Sequence, residues 1–275
     1  MSAAGVLVTG GFDDLGSRHV RFLQECSRLG DVTVLLWEDA AIQSALGAAP
    51  KFPLAERRYL LEGLRFVSRV LPVADDRPLP AAPSDLRGVS IVCVDNGALA
   101  AEVQAGRRHA AAIGAPLRVV EDRELEGFPD YPVSPPNLLR RRVVVTGCYD
   151  WLHSGHVRFF EEVAGHGELY VVVGSDANVR LLKGKGHPRF PQEKRRYMVG
   201  AVRHVHQCLV STGSGWMDAE PEIRTIDAHI YAVNEDGDKP EKREFCRENG
   251  LEYLVLSRVP AAGLPRRSST DLRGF

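Results

Sequence analysis

This chain has no excess of positive charge. Of its 275 residues, 35 are Lys or Arg and 36 are Asp or Glu, a formal net charge of -1. The two signs are interleaved, so no basic face is set up to hold a nucleic-acid backbone, and polynucleotide binding is not expected. Cysteine is also scarce. The five, at 26, 93, 148, 208 and 246, form neither a CxxC pair nor a zinc-finger spacing, and they read as reduced thiols of a cytoplasmic protein. No apolar run approaches the roughly 18 residues of a membrane span, and the N-terminus lacks the basic and apolar regions of a leader. The expectation is a soluble, untargeted cytoplasmic protein without a membrane or nucleic-acid partner.

What the chain does have is hydrophobic content, 44%, enough for one large core or two ordinary ones at this length. It also has a repeat. Residues 5–23 overlay residues 142–160 without a gap, so that His19 falls on His156, an offset of 156 - 19 = 137. The block Phe52-Pro53 through Tyr59-Leu60 matches Phe190-Pro191 through Tyr197-Met198 at 190 - 52 = 138. Two separated blocks at nearly one offset indicate a tandem duplication.

Hydrophobic periodicity gives strands near 5–9, 31–37, 69–73, 90–95 and 116–120, with helices near 16–29, 54–67 and 98–113. The second half repeats this with strands near 143–147, 168–174, 206–211, 228–234 and 251–256 and helices near 155–165, 191–204 and 239–249. Such alternation predicts an α/β protein with two tandem Rossmann-like domains, each a parallel five-stranded sheet flanked by helices. Pro129, Pro132, Pro135 and Pro136 mark 127–141 as a linker between domains at 1–126 and 142–275.

The densest chemistry lies where the β-branched run Val143–Val145 breaks at Thr146-Gly147-Cys148-Tyr149-Asp150 and reopens as a helix bearing His153 and His156. At the carboxyl edge of a parallel sheet a helix start is an anion site, so both imidazoles are placed beside a bound phosphate. Lys183 is flanked by glycine on what reads as a loop, and Arg195 offers a planar fork for phosphate. A zinc site built on the histidine pair and Cys148 is the alternative, although no third and fourth ligand set stands out.

His153-Ser154-Gly155-His156 matches the HxGH signature, and the second half resembles the cytidylyltransferase-like nucleotidylyltransferases. Further blocks follow in that family's order: Gly174-Ser175-Asp176, Lys183-Gly184, Glu193-Lys194-Arg195-Arg196 and Arg267-Ser268-Ser269-Thr270-Asp271. The resemblance implies nucleotidyl transfer, in which an acceptor phosphate attacks the α-phosphorus of a nucleoside triphosphate and pyrophosphate leaves. It implies His153, His156 and Lys183 as catalytic residues. Gly147, Cys148, Tyr149, Gly155, Arg195, Asn234, Asp236, Arg267, Ser268, Ser269 and Thr270 are the implied nucleotide contacts, and Asp150 and Trp216 the implied acceptor contacts. Gly155 is expected to leave room for the nucleotide. Mg2+ is expected with the triphosphate and no protein metal site is foreseen. The partners are a triphosphate, CTP first and ATP second, and a small phosphorylated alcohol, sugar or phosphonate. In this family's pattern an arginine usually precedes a glycine ahead of the Ser/Thr run; here Arg258 and Arg266-Arg267 compete for that place, and His206 stands where aspartate is common.

In the first half Gly16 replaces His153, Arg18 replaces Gly155 and Leu46 falls at the level of Lys183, while His19 and Arg57 remain. A catalytically dead, supporting copy is expected, with a homodimer or an intramolecular pseudo-dimer as the assembly. Two rivals stand beside this reading. Val6–Gly16 also looks like the opening of a nicotinamide-binding reductase, with Glu38 and Asp39 as ribose-binding acids, but its spacing is not GxGxxG. The other rival makes the whole chain a non-catalytic nucleotide sensor.

Overall fold

The strands of both halves are apolar almost throughout, as strands covered on both faces must be. Val6–Val8 and Val143–Val145 are completely buried. The computed structural model describes residues 4–74, 86, 88–268 and 272. The chain divides into two compact units, Met1–Gly127 and Phe128–Phe275.

The first unit runs β1 (Gly5–Gly10), α1 (Ser17–Ser27), β2 (Asp31–Trp37), α2 (Asp39–Leu46), α3 (Leu54–Glu62), β3 (Arg69–Val73), β4 (Val89–Asp95), α4 (Ala100–Ile113) and β5 (Leu117–Val120). The second runs β6 (Arg142–Gly147), α5 (Ser154–Ala164), β7 (Glu168–Val173), α6 (Asp176–Lys183), α7 (Gln192–Gly200), β8 (Val205–Val210), α8 (Glu220–Ile226), β9 (Ile230–Asn234), α9 (Pro240–Glu248) and β10 (Glu252–Leu256). The sheets are parallel and share one topology. Their orders are β3-β2-β1-β4-β5 and β8-β7-β6-β9-β10, so the duplication inferred from sequence extends to strand order.

In each sheet the order reverses beside the first strand, and there the pairing is short. β6 pairs with β7 from Arg142 to Gly147 but with β9 only at Val143 and Val144. β1 pairs with β4 only up to Leu7. Beyond those residues the carboxyl ends diverge and open a crevice, the place where such sheets take ligands.

Three helices escaped the periodicity. α2 ends at Gly47, in the left-handed region at φ 71°, and α8 carries a proline in its first turn; both are eight residues or shorter. α6 had a readable start, since Ser175 Oγ accepts from Asn178 N at 3.2 Å. Lys183 is therefore the last residue of a helix and not part of a loop; Gly184, at φ 82°, makes the stop.

The proline-rich segment expected as a linker belongs to the second unit from Phe128 onward. Tyr131 stacks on Tyr197 of α7 with ring centroids 5.1 Å apart and donates its hydroxyl to Tyr197 O at 3.0 Å. Arg196 pairs with Asp130. Tyr131→Ala in the full chain should lower the stability of the second unit by about 1–2 kcal/mol, the worth of one ring pair and one hydrogen bond. Urea unfolding measures this, and an unchanged midpoint would show that the segment contributes nothing.

Candidate active site

β6 ends at Gly147, and the chain must turn tightly before α5. Tyr149 makes the turn at φ 51°, and its ring folds back under the strand end, where a Cβ on Gly147 would fall 2.8 Å from it. Glycine is required there for that reason. The Tyr149 side chain, 7% exposed, packs against His156 and Phe160, with centroids at 5.1 and 5.2 Å, and forms part of the wall of the crevice.

His153 is the N-cap of α5. Its Nδ1 accepts from Gly155 N at 3.1 Å, which fixes that nitrogen as the bare one and leaves the proton on Nε2. Nε2 is buried and has no partner among the described residues. A buried donor without an acceptor costs free energy, and a helix start is suited to an anion. His156 stacks on His153 with centroids 3.8 Å apart, hydrogen-bonds the backbone of Trp151 and keeps Nδ1 buried without a partner. Burial, followed by the positive charges of Arg258 and Arg267, lowers the His153 pKa from 6.5 to about 3. Burial and the neighbouring His153 hold His156 well below its ordinary value. Both rings are neutral at pH 7. Gly155 spares room chiefly for the protein itself, since a Cβ there would meet the His153 ring at 3.1 Å and the carbonyl of Arg267 at 3.5 Å.

Around the crevice lies a cavity of about 220 Å3, reached by Gly147, Cys148, Asp150, Gly155, His156, Lys183, Asn234 and Asp236 of the expected set. Burial raises the pKa of the Cys148 thiol. Asp150 accepts from the backbone N–H groups of Arg189 and Phe190 at 2.8 and 3.0 Å, which folds the 184–190 loop over the cavity mouth. His153, 2% exposed, does not line the cavity, although His156 stacked on it does. Two cations of this cavity, Arg189 and Lys242, were not singled out as ligands from sequence, and Arg258 was one of three competing arginines. Arg258 bonds Asp236 at 2.6 Å and the carbonyl of Arg267 at 2.7 Å, so of the competing arginines it is the one that lines the cavity. Lys242 occupies the third position of α9, and burial lowers its pKa. No spacing rule marks such residues, because sheet order alone brings the start of α9 to the crevice at which α5 begins.

Other expected contacts lie elsewhere. The guanidinium of Arg195 is 1% exposed and donates to Phe190 O, Cys148 O, Gly174 O and Asp176 Oδ1 at 2.7–2.9 Å. With its fork committed to the protein's own oxygens, Arg195 positions the turn and is not a phosphate ligand. Trp216 is 54% exposed, with Lys239 Nζ 5.7 Å over its ring, and does not line the cavity. Arg267 borders a small recess beside Gly155 and Arg258. Ser268 accepts from Leu272 N at 3.4 Å, and Ser269 and Thr270 fall outside the described residues. His206 is on β8 near Glu168, at the opposite end of the sheet from the crevice.

In the first unit Gly16 is the N-cap of α1 and has no side chain to offer, and His19 Nδ1 accepts from Gly16 N at 3.1 Å. Arg18 fills the place of Gly155, gripped by Asp95 at 2.5–2.7 Å and by Asp122 at 2.6 Å. Arg57 repeats the bonding of Arg195 through Phe52 O, Gly11 O and Asp39. That pairing occupies Asp39, one of the two acids the reductase reading assigned to a ribose.

Residues 144–273 match the family model described as cytidylyltransferase-like. An FAD synthase of Methanocella arvoryzae is 30% identical over 136 residues, 48% of this chain and 93% of that protein. An FAD synthase of Methanospirillum hungatei is 49% identical over 132 residues, 48% of this chain and 82% of its own length. The bifunctional protein HldE of Methylococcus capsulatus is 37% identical over 97 residues, 35% of this chain and 20% of its own.

Two outcomes follow from this geometry. Arg195→Met strands three carbonyls and Asp176 and should cost about 3 kcal/mol of stability in urea unfolding; a loss of nucleotide affinity with stability intact would instead make Arg195 a ligand. The depressed His153 pKa means that the unfolded chain takes up a proton below about pH 6.5 that the folded ring refuses down to about pH 3. Stability present at neutral pH is therefore lost as pH falls through that window. His153→Asn keeps a capping oxygen and removes the titration, so its midpoint should drop less between pH 7.5 and pH 5 than that of the unaltered protein.

Proposed function

We propose that this chain, which belongs to the cytidylyltransferase-like nucleotidyltransferase family, transfers an adenylyl group from ATP to a small phosphorylated acceptor in its second unit. The observation that carries the reading is the pair of stacked neutral imidazoles at the start of α5. One of them holds a buried N–H with no acceptor among the described residues, beside a cavity lined by Lys183, Lys242 and Arg258. Such a site matches a reaction in which charge moves among phosphate oxygens and catalysis is positioning and neutralisation.

An oxygen of the acceptor phosphate attacks the α-phosphorus of the triphosphate. One P–O bond forms, the bond from the α-phosphorus to the bridging oxygen breaks, and pyrophosphate leaves with the electron pair. His153 Nε2–H donates to a phosphate oxygen while neutral. His156 contributes in the same way once phosphate charge raises its pKa and its second nitrogen binds a proton. Lys183, placed by the end of α6, faces the same space as a cation. Arg258 is steered into the cavity by Asp236. Among the described residues no group of three His, Cys, Asp or Glu side chains is placed to hold a metal; the Mg2+ expected with the triphosphate would travel on its phosphates, and no step is assigned to it.

The sequence favoured CTP. The named relatives favour ATP, because an FAD synthase makes an adenine dinucleotide, and FMN is then the first acceptor to try. The HldE relative leaves a sugar phosphate as the second. Loss of the His153 equivalent and of the lysine equivalent supports reading the first unit as a non-catalytic partner of the second.

Pyrophosphate release should be seen with ATP and one phosphorylated acceptor and be at least tenfold slower with CTP, GTP and UTP. His153→Ala should cut turnover about 100-fold or more, the worth of a well-placed transition-state donor, with an unchanged near-UV spectrum. Release that is equal for all triphosphates, or near-normal turnover in His153→Ala, would sink the reading.

A further inference from the structure

The first unit keeps its crevice. Between the diverging ends of β1 and β4 lies a cavity of about 310 Å3, larger than the one in the second unit and lined by first-unit residues alone. The repeat allows the two to be compared wall by wall. Leu46 ends α2 where Lys183 ends α6. Glu102 is the third residue of α4 where Lys242 is the third of α9. Phe12, Phe22 and Asp13 stand where the second unit has Tyr149, Phe159 and Asp150.

These exchanges reverse the charge. In the second cavity Lys183, Arg189, Lys242 and Arg258 outnumber Asp150 and Asp236, a formal +2. In the first, Asp13, Asp14, Asp95 and Glu102 outnumber Arg18 and Lys51, a formal -2. Both cations are already paired, Arg18 with Asp95 and Asp122, and Lys51 with Asp14 at 3.2 Å. Among the described residues Glu102 has no cation, and its carboxylate accepts from the backbone N–H groups of Gly11 and Leu99, at 2.8 and 3.3 Å; burial raises its pKa. A polyphosphate meets net repulsion here and no unpaired positive group. The remaining walls are apolar, formed by Phe12, Phe22, Trp37, Ile42, Val94 and Val103. Trp37, 1% exposed and locked by its Nε1–H to Thr9 Oγ1 at 3.0 Å, backs this wall from the core.

We propose that the first unit binds a small aromatic amine, one or two fused rings carrying a positive charge or N–H donors, with the rings against the apolar wall and the amine on Glu102. The volume limits the occupant to ring size, at the low end of small-molecule sites. The apolar walls select a flat hydrophobic body. The Glu102 carboxylate, which accepts only from neutral N–H donors among the described residues, selects the cation, since a charge-assisted hydrogen bond is the stronger one. The duplication has thus converted an anion crevice into a cation crevice by exchanges of lining side chains, with no change of fold.

Tryptamine and indole-3-acetate share a ring and differ in charge, and titration calorimetry on the full chain compares them directly. Tryptamine should bind one per chain and at least tenfold tighter than indole-3-acetate. Glu102→Gln should weaken tryptamine about tenfold or more. Leu46→Lys, at a position 49% exposed and tolerant of a long side chain, should weaken tryptamine and improve indole-3-acetate. His153→Ala should leave tryptamine binding unchanged, because that residue belongs to the other unit. The proposal is overturned by equal or better binding of indole-3-acetate, by no tryptamine binding at millimolar concentration, by indifference to both first-unit substitutions in variants with native near-UV spectra, or by loss of binding in His153→Ala.

Discussion

A buried guanidinium holds each half of this protein in its working shape. Arg195 and Arg57 each reach from the first turns of a helix to the carbonyl just after the first strand, to the carbonyl of the phenylalanine that precedes the helix, and to an aspartate that opens another helix. Three chain segments that would otherwise be independent loops are drawn to one point. The turn that presents His153, the helix that ends in Lys183 and the loop pinned by Asp150 are therefore set together. A fully buried arginine is tolerable only when its N–H groups are satisfied in this way, and so the fork that reads as a phosphate ligand in sequence is filled by the protein's own oxygens.

The same constraint explains what could be read before the structure. The strands were legible because parallel strands covered on both faces are continuous apolar runs, as in Val143–Val145 and Val32–Leu36. The histidine pair was legible because HxGH sits at a strand-to-helix break. α6 and α8 were not, since short capped helices have too few turns for a periodic signal. Lys242 was not, and Arg258 was not told apart from Arg266 and Arg267, because their place at the site depends on β9 lying next to β6, a property of sheet order and not of spacing. Arg195 was misread for a different reason: sequence supplies the fork but not the carbonyls that fill it. Trp216 was assigned to the acceptor, but its ring faces outward beside Lys239.

The two cavities show how little of a site belongs to the fold. Strand order, the left-handed turn residue, the arginine clamp and the aspartate that receives two backbone N–H groups are common to both units: Phe12 and Tyr149, Arg57 and Arg195, Asp13 and Asp150. What differs is a handful of side chains at the ends of helices, where exposure to the crevice is high and packing demand is low. Chemistry can change there while the core stays intact.

His153, the donor of the proposed reaction, is also the cap of its own helix. The corresponding cap in the first unit is glycine, which holds a helix start nearly as well, within a few tenths of a kcal/mol. Losing the reactive side chain is thus almost neutral for folding, and a duplicated copy can drift out of catalysis without passing through an unstable intermediate. Loss of the guanidinium clamp has no such easy exit. In a tandem protein of this kind, selection on stability alone preserves the clamp and lets the histidine go, so the durable mark of common ancestry is an arginine that never touches the substrate.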